Sequence, residues 1–174
     1  MTVAFVAPRL SRLADHAGAY LCLFAIEEKR PLAGIVGAVD WRLHGHLSGL
    51  VIRGFLTGKV GEELLVPLGS RLPLPFLLVL GIGPRGSLTA ARCGEALRRM
   101  FEVADRLGGA DLVVALPGRP EQLVEPAEAM ERLLAAYDAA GRGRKVTVVE
   151  PAAAQKAMLP VLERYRLRRE MPGT

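Results

Sequence analysis

Apolar and polar positions alternate along this chain in blocks, and the blocks predict elements. Val3 to Ala7 is a short apolar strand closed by Pro8. Tyr20 to Ile26 is continuously apolar, which predicts a strand buried on both faces. Glu27-Glu28-Lys29-Arg30-Pro31 reads as its polar exit turn. From Leu32 to Ile52 the positions Ile35, Val39, Leu43, Leu47 and Leu50 recur at three- and four-residue spacing and predict one helix. Gly34, Gly37, Gly45 and Gly49 weaken it. Gly54 to Gly61 carries three glycines and reads as a loop or bulged strand.

Glu62 to Leu68 and Phe76 to Leu80 predict two further strands with no helix between them, hence an antiparallel or edge-crossing element and a mixed sheet. Ser87 is placed to N-cap the next helix, whose inward face is Cys93, Leu97, Met100, Ala104 and Leu107. Gly108-Gly109 end it. Asp111 to Leu116 predicts a strand, and Pro117-Gly118-Arg119-Pro120 a turn. A helix starting at Pro126 turns Met130, Leu133, Leu134 and Tyr137 inward. Val146 to Val149 is the last strand, and a final helix from Pro151 is expected to kink or restart at Pro160. Strand–helix alternation after Phe76 predicts right-handed crossovers. The expected fold is a single-domain, three-layer α/β/α sandwich over residues 1–174, with a mixed, mostly parallel central sheet.

Composition sharpens this picture. The chain has 174 residues, 51% of them hydrophobic but only 5% aromatic, so the core is aliphatic. That apolar content in one small domain leads us to expect self-association, as a dimer or higher, through the Val3 to Ala7 edge or the Leu32 to Ile52 helix. The apolar run Leu72 to Gly83 is too short to span a bilayer, so no membrane partner is expected. No signal peptide is evident, and Cys22 and Cys93 lack CxxC or Cys/His partners. Reduced thiols in a cytoplasmic protein are the expectation. Of the net charge of +5, residues 142–174 hold the whole excess, with eight basic against three acidic side chains. Arg164, Arg166, Arg168 and Arg169 are the candidate contacts for a weakly bound nucleic acid, set against a solvated terminal helix.

Three features carry a resemblance: the helix containing Asp40, the segment Phe55-x-Thr57-Gly58-Lys59-x-Gly61-Glu62, and the strand end Leu78-Val79-Leu80-Gly81-Ile82-Gly83 followed by an amphipathic helix. From Tyr20 to Pro117 the chain resembles the N-terminal, non-catalytic domain of the leucyl aminopeptidases, a macro-domain-like fold. That family's catalysis resides in a C-terminal domain, where a lysine and several carboxylates hold two metal ions beside an Asn-Thr-Asp-Ala-Glu-Gly-Arg signature. This sequence lacks that signature and contains no asparagine, and its five aspartates are scattered over different elements. The resemblance therefore implies a non-catalytic binding or assembly module, with no catalytic residue, metal or cofactor. A separately encoded catalytic subunit is a candidate partner. Macro domains bind ADP-ribose through Gly-rich loops, which makes nucleotide or ADP-ribose binding the alternative.

Gly81-Ile82-Gly83-Pro84-Arg85-Gly86-Ser87 follows a strand and opens a helix. Gly81, Gly83, Arg85, Gly86 and Ser87 are the candidate anion or nucleotide nest, set against a tight turn that needs glycine. The spacing is neither the Rossmann nor the Walker pattern. His44 and His46 stand two apart, which on a helix points them to different sides and argues against a metal pair. Lys59 reads as a loop lysine and the two cysteines as core residues.

Overall fold

The computed structural model describes residues 2–27, 31–140 and 143–170. Glu28, Lys29 and Arg30 of the expected exit turn, and Arg142 of the basic segment, lie outside them. Among the described residues six strands form one sheet: β1 (Thr2–Val6), β2 (Tyr20–Glu27), β3 (Glu63–Pro67), β4 (Phe76–Pro84), β5 (Leu112–Val114) and β6 (Lys145–Val149). The spatial order is β1-β6-β5-β2-β4-β3. Every pairing is parallel except β3 with β4. The mixed, mostly parallel α/β sandwich expected from the sequence is the fold observed.

The centre of the sheet is apolar on both faces. Cys22, Phe24 and Ile26 of β2, with Leu78, Leu80 and Ile82 of β4, point into one core cluster. Leu21, Leu23, Leu77 and Val79 point into the other. The period-two alternation of a strand sorts these residues to opposite sides. On the first face lie α4 (Ala90–Arg106), α5 (Pro126–Ala140) and α6 (Ala152–Glu170). On the second lie α1 (Leu10–Leu13), α2 (Gly34–Arg42) and α3 (His46–Ile52). In α4, Cys93, Leu97, Met100, Phe101 and Ala104 are buried at helical spacing. Each fully buried Leu, Met or Phe contributes about 1.5–3 kcal/mol by leaving water.

Four local expectations need correction. The segment 32–52 is two helices, because His44 and Gly45 adopt left-handed backbone (φ 57° and 75°) between α2 and α3. The Asp40 carboxylate then holds the start of α3, accepting from the Leu47 (2.8 Å) and Ser48 (3.1 Å) amides. Ser87 does not cap α4: a 3-10 turn occupies Arg85–Ser87, and Thr89 caps instead, accepting from the Arg92 amide (3.2 Å). Leu107 lies just past the end of α4 and is only partly buried against the core. Finally, of the kink or restart expected at Pro160 the restart does not occur: α6 is continuous through it, with Met158, Val161 and Leu162 buried on either side.

Topology places the functional surface. The chain leaves β2 over one face to reach β3 and β4, then returns across the other face through α4 to β5. Right-handed crossovers running in opposite directions must use opposite faces. The connections therefore part between β2 and β5, and a crevice opens there at the carboxyl ends of the strands.

Loop 57–62 is pressed against the sheet beside that end. Gly81 donates to the Glu62 carbonyl (2.9 Å) and Gly83 to the Gly58 carbonyl (2.8 Å). A Cβ on Gly81 would run into the Lys59 carbonyl, a backbone atom with no room to move aside. Gly81→Ala should therefore destabilise the fold by about 1–3 kcal/mol or more, as overpacking does. Urea denaturation would read this as a lowered midpoint at unchanged slope.

Candidate functional site

An open cleft of about 540 Å³ lies beside the parting between β2 and β5, at the carboxyl ends of β1, β6 and β5. Its walls come from the ends of β1 (Pro8), β5 (Ala115) and β6 (Val149, Glu150), and from the starts of α2 (Gly34, Ile35), α5 (Pro126) and α6 (Ala153, Ala154). Arg119 and Pro120, from the loop after β5, form one side. The amino ends of three helices thus border one hollow, and their dipoles give it a positive rim.

One ion pair sits in the wall. Glu150 directly follows β6 and is only 3% exposed. Arg119 meets it with two parallel bonds, Nε to Oε1 at 2.9 Å and Nη2 to Oε2 at 3.2 Å. The remaining arm, Nη1, donates to the Val124 carbonyl (2.6 Å). The planar guanidinium thereby ties the 115–125 loop to the β6–α6 junction. Gln155 of α6 fixes the same junction, donating from Nε2 to the Glu150 carbonyl (2.7 Å).

The residues expected to bind an anion lie elsewhere. Gly81 and Gly83 belong to β4 itself, and their amides are engaged by loop 57–62. Arg85, Gly86 and Ser87 form the 3-10 turn beyond it. Ser87 Oγ donates to the Pro84 carbonyl (3.0 Å) and accepts from Arg92 Nη1 (2.5 Å). None of these five residues lines the 540 Å³ cleft. A real carboxylate nest does exist one loop away. The Thr57 and Gly58 amides donate to the Glu62 carboxylate at 2.7–3.0 Å.

Three of the four candidate C-terminal arginines are drawn onto the protein. Arg164 pairs with Glu131 (3.9 Å), and Arg166 donates to the Val3 carbonyl (3.4 Å). Arg169 pairs with Asp138 (2.8 Å) and donates to the Tyr165 hydroxyl (2.6 Å). Arg168 borders a shallow groove between α5 and α6. Burial pushes the Cys22 thiol up to about 12 and the Cys93 thiol up to about 11. Both thiols are protonated and shielded at neutral pH. His44 sits in the turn and His46 starts α3. Among the described residues no group of three or more His, Cys, Asp or Glu side chains is arranged to hold a metal ion, and no helix is long and apolar enough to cross a membrane.

Residues 21–149 match the N-terminal domain of the cytosol aminopeptidase family. The chain belongs to that family. Over 91 residues it is 33% identical to a probable cytosol aminopeptidase of Pseudomonas syringae pv. tomato, a match covering 52% of this chain and 18% of that relative. What aligns is therefore under a fifth of the aminopeptidase's length, its N-terminal domain. The fold superposes on a tomato leucine aminopeptidase variant with TM-score 0.66 at 11% identity, covering 95% of this chain and 36% of that one. It also superposes on an Oceanobacillus iheyensis macrodomain with ADP, with TM-score 0.70 at 13% identity, covering 94% and 91%. This member of the aminopeptidase family therefore has a macro-like fold.

The buried pair makes a direct prediction. Glu150→Ala leaves Arg119 without its anion and should cost about 3–5 kcal/mol, whereas Arg119→Met combined with Glu150→Leu should cost far less. Thermal or urea unfolding of the single and double variants would check this. Equal losses in both would show that the pair contributes only packing.

Proposed function

We propose that this chain acts as a non-catalytic binding or assembly module. One observation carries the reading: its sequestered carboxylates hold backbone or a neighbouring side chain. Asp40 accepts from the start of α3, Glu62 from the Thr57–Gly58 turn, and Glu150 from Arg119. Two-metal hydrolysis needs clustered carboxylates with lone pairs left for the ions. These three stand in separate places, each with its oxygens already engaged. The relatives' aminopeptidase chains extend far beyond the segment matched here. A catalytic subunit of the aminopeptidase type is the partner we propose for the assembly role. The purified chain should give no turnover of amino-acyl amides with added zinc, manganese or magnesium. Metal-dependent turnover that co-purifies through repeated chromatography and is lost in a Glu62→Gln or Asp40→Asn variant would sink the reading.

A second reading is supported by the cleft and by the ADP in the Oceanobacillus neighbour. In it, the hollow at the carboxyl ends of β1, β5 and β6 takes a nucleoside diphosphate, its phosphates facing the helix amino ends. A side chain at Gly83 would strike Val60 and disturb the fold, so the cleft wall is the place to test. Calorimetry with ADP and ADP-ribose should give binding heat that Ala153→Trp removes by filling the cleft. Heat absent in the wild type, or unchanged in the variant, ends this reading.

A further inference from the structure

The sheet has two edges, and they differ. At β1, Arg166 of α6 reaches the Val3 carbonyl, so a helix side chain lies over that edge. This works against the Val3 to Ala7 strand as a pairing surface. At β3 the pairing with β4 fixes which groups remain. Gly81 donates to the Glu62 carbonyl, and Leu68 donates to the Pro75 carbonyl (3.0 Å). Between these bonds Leu64 stands opposite Val79 and Val66 opposite Leu77. Backbone groups in an antiparallel ladder alternate in direction. The even-numbered residues of β3 therefore face β4, and Glu63, Leu65 and Pro67 turn their backbone groups outward. Pro67 has no N–H to offer.

We propose that this edge pairs with the same edge of a second copy of the chain, antiparallel and centred on Leu65. The outward groups are self-complementary in that arrangement. The Leu65 amide of each copy donates to the Leu65 carbonyl of the other. The Glu63 amide of each donates to the opposite Pro67 carbonyl. Each of the two outward donors finds an acceptor, and the missing donor of Pro67 faces only the Glu63 carbonyl. No buried N–H is left unmade. Such a two-fold contact is isologous, the commonest form of self-association.

The side chains agree with the backbone. Edge strands are ordinarily guarded by charge. Here the Glu63 carboxylate is drawn back onto α4 by Arg99 (2.7 Å) and Arg106 (2.9 Å), which neutralises the guard. Leu65 is 37% exposed and would meet its own copy across the axis. Ile52, Phe55 and Val60, in the stretch just before β3, are also exposed. Edge-to-edge pairing of a five-residue strand falls in the small interface class, below about 1,200 Å² in total, so the dimer should be weak and concentration-dependent. The inference goes beyond the non-catalytic reading and shares no measurement with it.

Sedimentation of the full chain between roughly 5 and 200 µM, a span suited to micromolar affinity, should show the mass rising from monomer toward dimer. Over the same range hydrogen exchange at the Glu63 and Leu65 amides should slow, while Leu64 and Val66 stay protected throughout. Leu65→Asp sets two carboxylates face to face at a partly exposed position and should hold the protein monomeric with its circular dichroism unchanged. A constant monomer mass with fast exchange at both amides would overturn the proposal. So would a dimer in which those amides still exchange freely, since that dimer would use another surface. The wild-type exchange data decide the matter even if the variant fails to fold.

Discussion

The constraint on which this molecule rests is that β2 and β4 are apolar on both faces. A strand with Leu21 and Leu23 on one side and Cys22, Phe24 and Ile26 on the other cannot present either face to water. Helices must cover both, and the crossovers that deliver them must run in opposite directions. That divergence opens the crevice between β2 and β5. The cleft beside it, at the carboxyl ends of β1, β6 and β5, owes its place to hydrophobic burial before it is anything chemical. Its wall is then fixed by the Arg119–Glu150 pair, which sits where the loops would otherwise be loosest.

Polar groups in this fold mostly serve geometry. Asp40 holds the start of α3, Glu62 closes a loop, and Glu150 anchors another. Each carboxylate satisfies backbone amides or a guanidinium that would be costly to bury unpaired. The C-terminal arginines follow the same logic, reaching back to Glu131, Val3 and Asp138. A run of cations that looks like a patch in the sequence is partly consumed by the protein's own acceptors.

Much of the fold was legible because burial leaves a periodic trace. The strands and the inward faces of α4 and α5 follow from spacing, and the lack of a helix between β3 and β4 left an antiparallel or edge-crossing pair, of which the structure has the antiparallel one. The break at His44-Gly45 was hidden because the apolar stripe continues across it: Leu43 and Leu47 are both buried although they belong to different segments. The cap of α4 was displaced from Ser87 to Thr89 because a 3-10 turn intervened. The cleft was missed for a different reason. Its members Pro8, Gly34, Arg119 and Glu150 lie far apart in sequence and carry no motif. The available signal was positional: Glu150 and the Arg119 loop each follow a strand at its carboxyl end, where open α/β sheets place their ligands. Glycine density pointed instead to β4, where Gly81 allows two stretches of backbone to touch.

The Thr57–Gly58 turn shows what that touching achieves. Its amides form the kind of cradle that elsewhere captures a phosphate, yet the occupant is Glu62, a few residues along the same chain. A tethered group on so short a leash competes at an effective concentration on the order of millimolar or above. Free anions in solution would have to outbid a rival that never diffuses away. The domain carries its own permanently bound ligand at this point, and the shape of the loop beside β2 and β4 is insulated from the ionic composition around it.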